Sequence, residues 1–277
     1  MGFEYGKAAK WLKKEMAALR EPYGSEARLD KARVKIEAYA SGQGTLGAAT
    51  VSLSTLGLSE GRKGCVRVLD GDARGWQQLD RSFLYRTWAI RLLACAYDAD
   101  VRPDKNARMT LDAAANAWSE ATALGNVELA DWLEARLRRI DAGDGSLSGK
   151  DMNALVALAA HVATGKPAAA LKQSGWADLG PYARAIDGGL RPADYDELAE
   201  YHVQQTGESG FQPFVNPPFR LLPFELFALE KRTGVRIESP QHPLLTSPLA
   251  VRREAGEIPM PDDLRGVIER ARMEMPV

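Results

Sequence analysis

From residue 75 to residue 97 the chain sets Trp76, Leu79, Phe83, Leu84, Trp88, Ile90, Leu92, Leu93 and Tyr97 along what reads as one helix. These side chains cover more than a single stripe, so the segment predicts a helix packed on several sides rather than one lying on a surface. Arg74, Arg81, Arg86 and Arg91 punctuate it. A long helix of this kind needs other helices around it, and the rest of the chain supplies their pattern.

Residues 3–20 place Ala8, Leu12, Met16 and Leu19 at helical spacing between lysines, an amphipathic helix closed by Pro22 and Gly24. Ser25 can cap the next helix, on which Leu29, Ala32, Ile36 and Tyr39 share a face. Residues 110–140 read as a helical hairpin. Leu111, Ala114, Trp118 and Ala121 form one stripe, and Ala130, Leu133, Leu137 and Ile140 the other. Gly125 suits the left-handed stop between them and Asn126 the following cap. Residues 141–149, DAGDGSLSG, have linker composition. Ser148 and Asp151 then form a capping-box pattern ahead of Met152, Leu155, Ala159 and Val162. Further helices are expected at 167–174, 178–187, 193–206, 222–233 and 261–274, with Pro192 and Pro223 near helix starts. Only 65–69 and 235–237 read as strands, and no identity repeat recurs. The expected fold is all-α. It is a multi-helix bundle or an irregular array of antiparallel helical hairpins, with at most one or two short strands. It forms one domain over 1–277 or two lobes, 1–140 and 150–277, joined at 141–149.

Composition narrows the function classes. Thirty-six basic residues against 37 acidic ones leave a net charge of -1, without the basic excess of a nucleic-acid binder. Two cysteines, Cys65 and Cys95, argue against a disulfide framework and for a reducing compartment. The N-terminus lacks a secretory apolar core, and the longest apolar run, 155–160, is too short to span a bilayer. A soluble cytoplasmic protein is expected, with no membrane and no nucleic-acid partner.

Several patterns carry candidate chemistry. Gly42-x-Gly44-x-x-Gly47, followed by Asp70 after the 65–69 segment, has the order of a dinucleotide-binding unit. The segment before it fits helical spacing better, and no alternation of strands and helices follows. The other reading is that Gly42 and Gly44 end one helix and Gly47 allows close packing. Asp144-x-Ser146-x-Ser148-Gly149 copies half of a calcium loop, yet Leu155 stands where the bidentate glutamate is needed. Asp98, Asp100 and Asp104 fail at Met109 for the same reason. His161, His202 and His242 have no second His or Cys at ligand spacing. Cys95 lies in an apolar helix, which disfavours a thiolate. No metal, no cofactor and no catalytic residue is therefore expected.

Two features suggest a surface that binds a partner. Between 178 and 208 the acids Asp178, Asp187, Asp194, Asp196, Glu197, Glu200 and Glu208 face only Arg184 and Arg191. The cluster fits a docking surface for a basic partner, or acids complementing a helix dipole. Phe211 to Phe227 packs phenylalanines among Pro213, Pro217, Pro218 and Pro223. These are interface anchors, Phe211 and Phe214 first among them, or a loop that seals the core.

Two stretches, GWQQLDRSFLYRTWAIRLLACAYDAD and LLPFELFALEKRTGVRIESPQHPLL, together about a fifth of the chain, resemble bacterial polymorphic-toxin immunity proteins, in particular the immunity protein 49 family. The resemblance implies a non-enzymatic binder that occludes a cognate toxin domain, often one delivered by a contact-dependent or type VI secretion system. It carries over no site residues. The expected partner is a toxin protein, met by Asp187, Asp194, Asp196, Glu197, Glu200, Glu208, Phe211 and Phe214. Alternatives are a nucleotide-binding enzyme using Gly42–Gly47 and a helical scaffold or regulatory adaptor.

Overall fold

The computed structural model describes residues 5–21, 25–101, 109–140, 145–148, 153–167, 179–206, 213–216, 218–254 and 258–277. Among these the helices are α1 (Gly6–Ala18), α2 (Glu26–Ala40), α3 (Leu46–Leu69), α4 (Arg74–Asp98), α5 (Leu111–Leu124), α6 (Val127–Arg139), α7 (Ala154–Thr164), α8 (Tyr182–Ile186), α9 (Asp194–Gln204), α10 (Phe224–Thr233) and α11 (Asp262–Glu274). Two dipeptides, β1 (Met109–Thr110) and β2 (Leu147–Ser148), pair in parallel with Met109 opposite Leu147. The fold is all-α, as the apolar spacing predicts.

The chain forms two compact units. Unit 1 comprises Met1–Ala18, Leu111–Asp144 and Gly149–Ala255; unit 2 comprises Leu19–Thr110, Gly145–Ser148 and Gly256–Val277. Each takes three separate stretches of chain, so these units are not the lobes 1–140 and 150–277 expected from the linker composition.

In unit 2, Ser25 accepts from the Arg28 N–H at 3.3 Å and starts α2. The expected face of α2 (Leu29, Ala32, Ile36, Tyr39) meets Leu46, Ala49, Leu53 and Leu56 of α3, Ala89, Leu92 and Ala96 of α4, and Leu264, Val267 and Ile268 of α11. Each buried Leu-sized chain contributes roughly 2 kcal/mol. Tyr39 and Tyr85 direct their hydroxyls to Glu274 Oε2 (2.7 Å) and Asp263 Oδ1 (2.8 Å), which fixes the register of α11. The backbones of α3 and α4 approach closely at Gly64 and Gly75. A Cβ on Gly75 would lie 2.6 Å from the Gly64 carbonyl oxygen, and one on Gly64 2.9 Å from that of Gly75.

In unit 1, α5 is buried at every residue from Ala114 to Leu124. Gly125 turns the chain at φ +77°, and Asn126 caps α6 by accepting from Leu129 N at 3.1 Å. Trp118, fully buried, donates to Glu134 Oε1 at 2.9 Å, and Arg232 pairs with the same carboxylate.

Two expectations need correction. Residues 65–69 are the last turns of α3, not a strand. Residues 235–237 form no strand with the described residues; Ile237 N donates to Glu230 Oε1 and the Val235 carbonyl accepts from Tyr195. The helix at 74–98 is packed on several sides, as its pattern predicts: Leu79, Ser82, Phe83, Tyr85, Thr87, Ala89 and Leu92 are buried and spread over more than one stripe, while Trp76, Leu84, Trp88, Ile90, Leu93 and Tyr97 are half-buried. The helix surrounded on all sides is the alanine-rich α5, whose small side chains let neighbours approach. The Ser148–Asp151 capping box and the helix at 167–174 lie wholly or partly outside the described residues; α7 is capped by Asn153, which accepts from Val156 N at 3.0 Å.

Candidate functional site

The acidic stretch around 194–200 becomes α9, and its four acids divide by task. Asp194 is 4% exposed. It accepts from Arg191 N and Arg191 Nη2, both at 2.8 Å, and lies 3.7 Å from Arg184. The Arg191 guanidinium holds its carboxyl below the usual carboxylate range. Asp196 accepts from the Tyr5 hydroxyl (2.9 Å), His242 N (3.1 Å) and Gln241 N (3.2 Å). Asp194 and Asp196 thus fix the start of α9, the approach to α1 and the 240–242 segment, and their lone pairs are committed.

Glu197 and Glu200 sit elsewhere. With Tyr201 and Gln204 they fall at i, i+3, i+4 and i+7, one face of α9. This face walls an open groove of about 430 Å3, completed by Gly180, Pro181 and Arg184. Glu197 pairs with Arg184. Glu200 accepts from His242 Nε2 at 3.2 Å and from Gln204 Nε2 at 3.4 Å. The Tyr201 ring meets the buried Tyr182 ring edge-on, with centroids 5.7 Å apart.

The opposite face of α9 carries His202, fully buried. Its Nδ1 lies 2.7 Å from Glu225 Oε1 and its Nε2 3.1 Å from the Arg220 carbonyl. Both neighbours of the ring are oxygens, so a proton must occupy each contact. Phe214 stacks on the ring at 4.0 Å. Arg220 donates to Glu15 Oε2 (2.9 Å) and the Thr206 carbonyl (2.8 Å), and Trp11 donates to Thr206 Oγ1 (3.1 Å), which seats α1.

His242 has the opposite character. Its Nδ1 accepts from Leu244 N at 3.2 Å, so Nε2 carries the proton donated to Glu200. Burial holds this imidazole below the ordinary histidine range, with Glu200 and Asp196 pulling the other way. A neutral His242 leaves Glu200 its full negative charge. Above pH ~6.5 His242 is neutral folded or unfolded; below it the unfolded chain takes up a proton that the folded chain resists. The thermal midpoint is therefore expected to fall from pH 7 to pH 5.5 more steeply in the natural chain than in His242→Gln. Parallel curves for the two proteins would refute this.

Of the residues expected to meet a partner, Glu197 and Glu200 share the groove. Asp194 and Asp196 are tied inward beside it, and Asp187 is exposed at the end of α8, outside the groove lining. Phe214 is 1% exposed and serves as the lid on His202, the core-sealing reading rather than a surface anchor. Glu208 and Phe211 lie outside the described residues. Arg184 is one of the two bases already seen in the acidic stretch; Tyr201 and Gln204 carry no charge to mark them, yet the helical spacing from Glu197 points to both.

The glycine pattern has no phosphate-binding geometry. Val34 to Ala40 is helical, Gly42 takes φ +81° just past the end of α2, and a Cβ on Gly44 would meet Tyr39 N at 2.8 Å. Asp70 follows the end of α3 and pairs with Arg20. This removes the dinucleotide reading, which needs a strand ahead of the loop. Among the described residues no group of His, Cys, Asp and Glu could hold a metal, Cys65 and Cys95 are free of disulfide, and no helix is long and apolar enough to cross a membrane. No family model, curated protein or solved structure matches the chain.

Proposed function

We propose that the protein is an immunity protein that neutralises a cognate bacterial toxin by direct binding, with the groove face of α9 as a docking surface for a basic region of that toxin. The observation that carries this reading is how firmly the face is held. Asp194, Asp196 and His202 anchor α9 at both ends while Glu197, Glu200 and Tyr201 remain at the groove. A helix fixed in this way loses little freedom on binding. A half-buried tyrosine flanked by carboxylates is a natural anchor for a partner rich in Lys and Arg. The resemblance of 75–100 and 221–245 to immunity proteins supplies the partner's class.

Co-expression with the toxin domain encoded by the adjacent open reading frame is expected to restore growth and to yield a stoichiometric complex. Glu197→Lys is expected to weaken that complex roughly tenfold and to flatten its salt dependence. A neighbouring toxin that kills regardless of this protein refutes the reading. Rescue that is indifferent to Glu197→Lys moves the interface off α9.

A further inference from the structure

We infer that unit 2 carries a second binding site, a groove for a small amphiphilic anion, which shares no residue with the proposed toxin surface. Ser59, Arg62, Lys63, Val66 and Arg67 occupy i, i+3, i+4, i+7 and i+8 of α3, one continuous face. Together with Leu19, Arg20, Glu21, Glu26 and Leu29, and with Gln78 from α4, they enclose about 410 Å3. That volume is in the range of small-molecule sites, roughly 300–1,000 Å3. Leu19 and Leu29 are buried and supply, with Val66, an apolar floor.

The polar groups tell which ligand fits. Ser59 is 3% exposed, and none of the described residues hydrogen-bonds its hydroxyl. Gln78 donates its amide to Glu60 Oε2 at 3.2 Å, which orients the side chain, and its Oε1 has no donor. Buried polar atoms are ordinarily satisfied, so the open Gln78 Oε1 marks unfilled polar space at the groove, and the Ser59 hydroxyl is the group there that can donate to an anion. The charged lining holds four bases (Arg20, Arg62, Lys63 and Arg67) against two acids, Glu21 and Glu26, the latter 3.6 Å from Arg33. Arg20 is matched by Asp70, and Arg62 donates to the Leu19 carbonyl at 2.8 Å. Lys63 stands 4.0 Å from Glu60, and the exposed Arg67 has Asp72 as a charge partner, its carbonyl accepting from Asp72 N at 2.9 Å. Lys63 and Arg67 are one helical turn apart at the rim, placed to receive an anionic head while Leu19, Leu29 and Val66 receive an alkyl or aryl body.

The test is calorimetric titration of the full chain with decanoate and, separately, with decyl phosphate, both below micellar concentrations. One-to-one saturable binding of either is expected; the tighter of the two identifies a carboxylate or a phosphate head. The Lys63→Glu, Arg67→Glu double variant, both changes at exposed positions, is expected to bind about tenfold more weakly. Val66→Trp, which fills the groove, is expected to abolish binding while a circular-dichroism melt reports whether it folds. If Val66→Trp fails to fold, the rim variant decides. Absence of saturable binding, decanol binding as tightly as decanoate, an unaffected rim variant, or binding only to phosphatidylglycerol vesicles would each overturn the assignment. None of these outcomes bears on toxin neutralisation, which is read separately by co-expression.

Discussion

Gly75→Val is expected to lower the thermal midpoint by about 10 °C or more, or to prevent unit 2 from folding. Its first added carbon would lie 2.6 Å from the Gly64 carbonyl oxygen and 2.7 Å from Val68 N. Both obstacles are backbone, so no rotamer change relieves them, and α3 and α4 must separate along a crossing that Ser82 Oγ otherwise clasps to the Gly57 carbonyl at 2.6 Å. Overpacking of side chains costs about 1–3 kcal/mol, and helix backbones forced apart belong at or beyond the top of that range. At roughly 2–4 °C per kcal/mol for a chain of this size the shift is easily seen. Gly71→Ala is the control: Gly71 has φ +79° with open space around it, so only the local strain, about 1 kcal/mol, is expected. The two substitutions should be compared by circular-dichroism melts. A Gly75→Val protein that melts with the Gly71→Ala protein would mean that the crossing is not a close one.

The second large effect is expected at Glu225→Ala. Glu225 and His202 are 1% and 0% exposed, and the histidine has no alternative carboxylate in hydrogen-bond contact. Removing one member of such a pair strands the other and costs about 3–5 kcal/mol. The loss should appear as a shift in the urea midpoint of unit 1, where α9, α10 and the Phe214 stack share this junction. Replacing both members by apolar residues, His202→Phe with Glu225→Leu, is expected to recover much of the stability, because desolvation of the pair is then avoided. If Glu225→Ala unfolds at the same urea concentration as the natural chain, the pair does not hold these elements together.

Local structure was legible wherever the signal is local. The Ser25 cap, the Gly125–Asn126 junction, the α2 stripe and the positions of α9, α10 and α11 follow from spacing within a few residues. Val66 and Val68 misled at 65–69 because β propensity is weak beside the packing of a long helix against α4. The alanines of α5 concealed the most buried helix, since scales weighted by side-chain size undervalue residues that permit close approach. The polar junctions were invisible because their members lie far apart in sequence: His202 and Glu225 by 23 residues, Glu200 and His242 by 42, Tyr5 and Asp196 by 191. The groove face of α9 lay within reach, since Glu197, Glu200, Tyr201 and Gln204 obey the same spacing used to find the helices.

The interleaving of the two units has a kinetic meaning. The Tyr39–Glu274 bond joins residues 235 apart, and Leu264, Val267 and Ile268 complete a core begun by Leu29 and Ile36. A nascent chain emerging from the ribosome therefore exposes the unfinished side of α2 and α3 throughout the synthesis of residues 111–255. Closure waits for α11, which follows all the other described helices in the chain. High sequence separation of this kind slows folding and prolongs exposure of apolar surface. Yield in the cell should consequently respond to chaperone supply more than the stability of the finished protein would suggest.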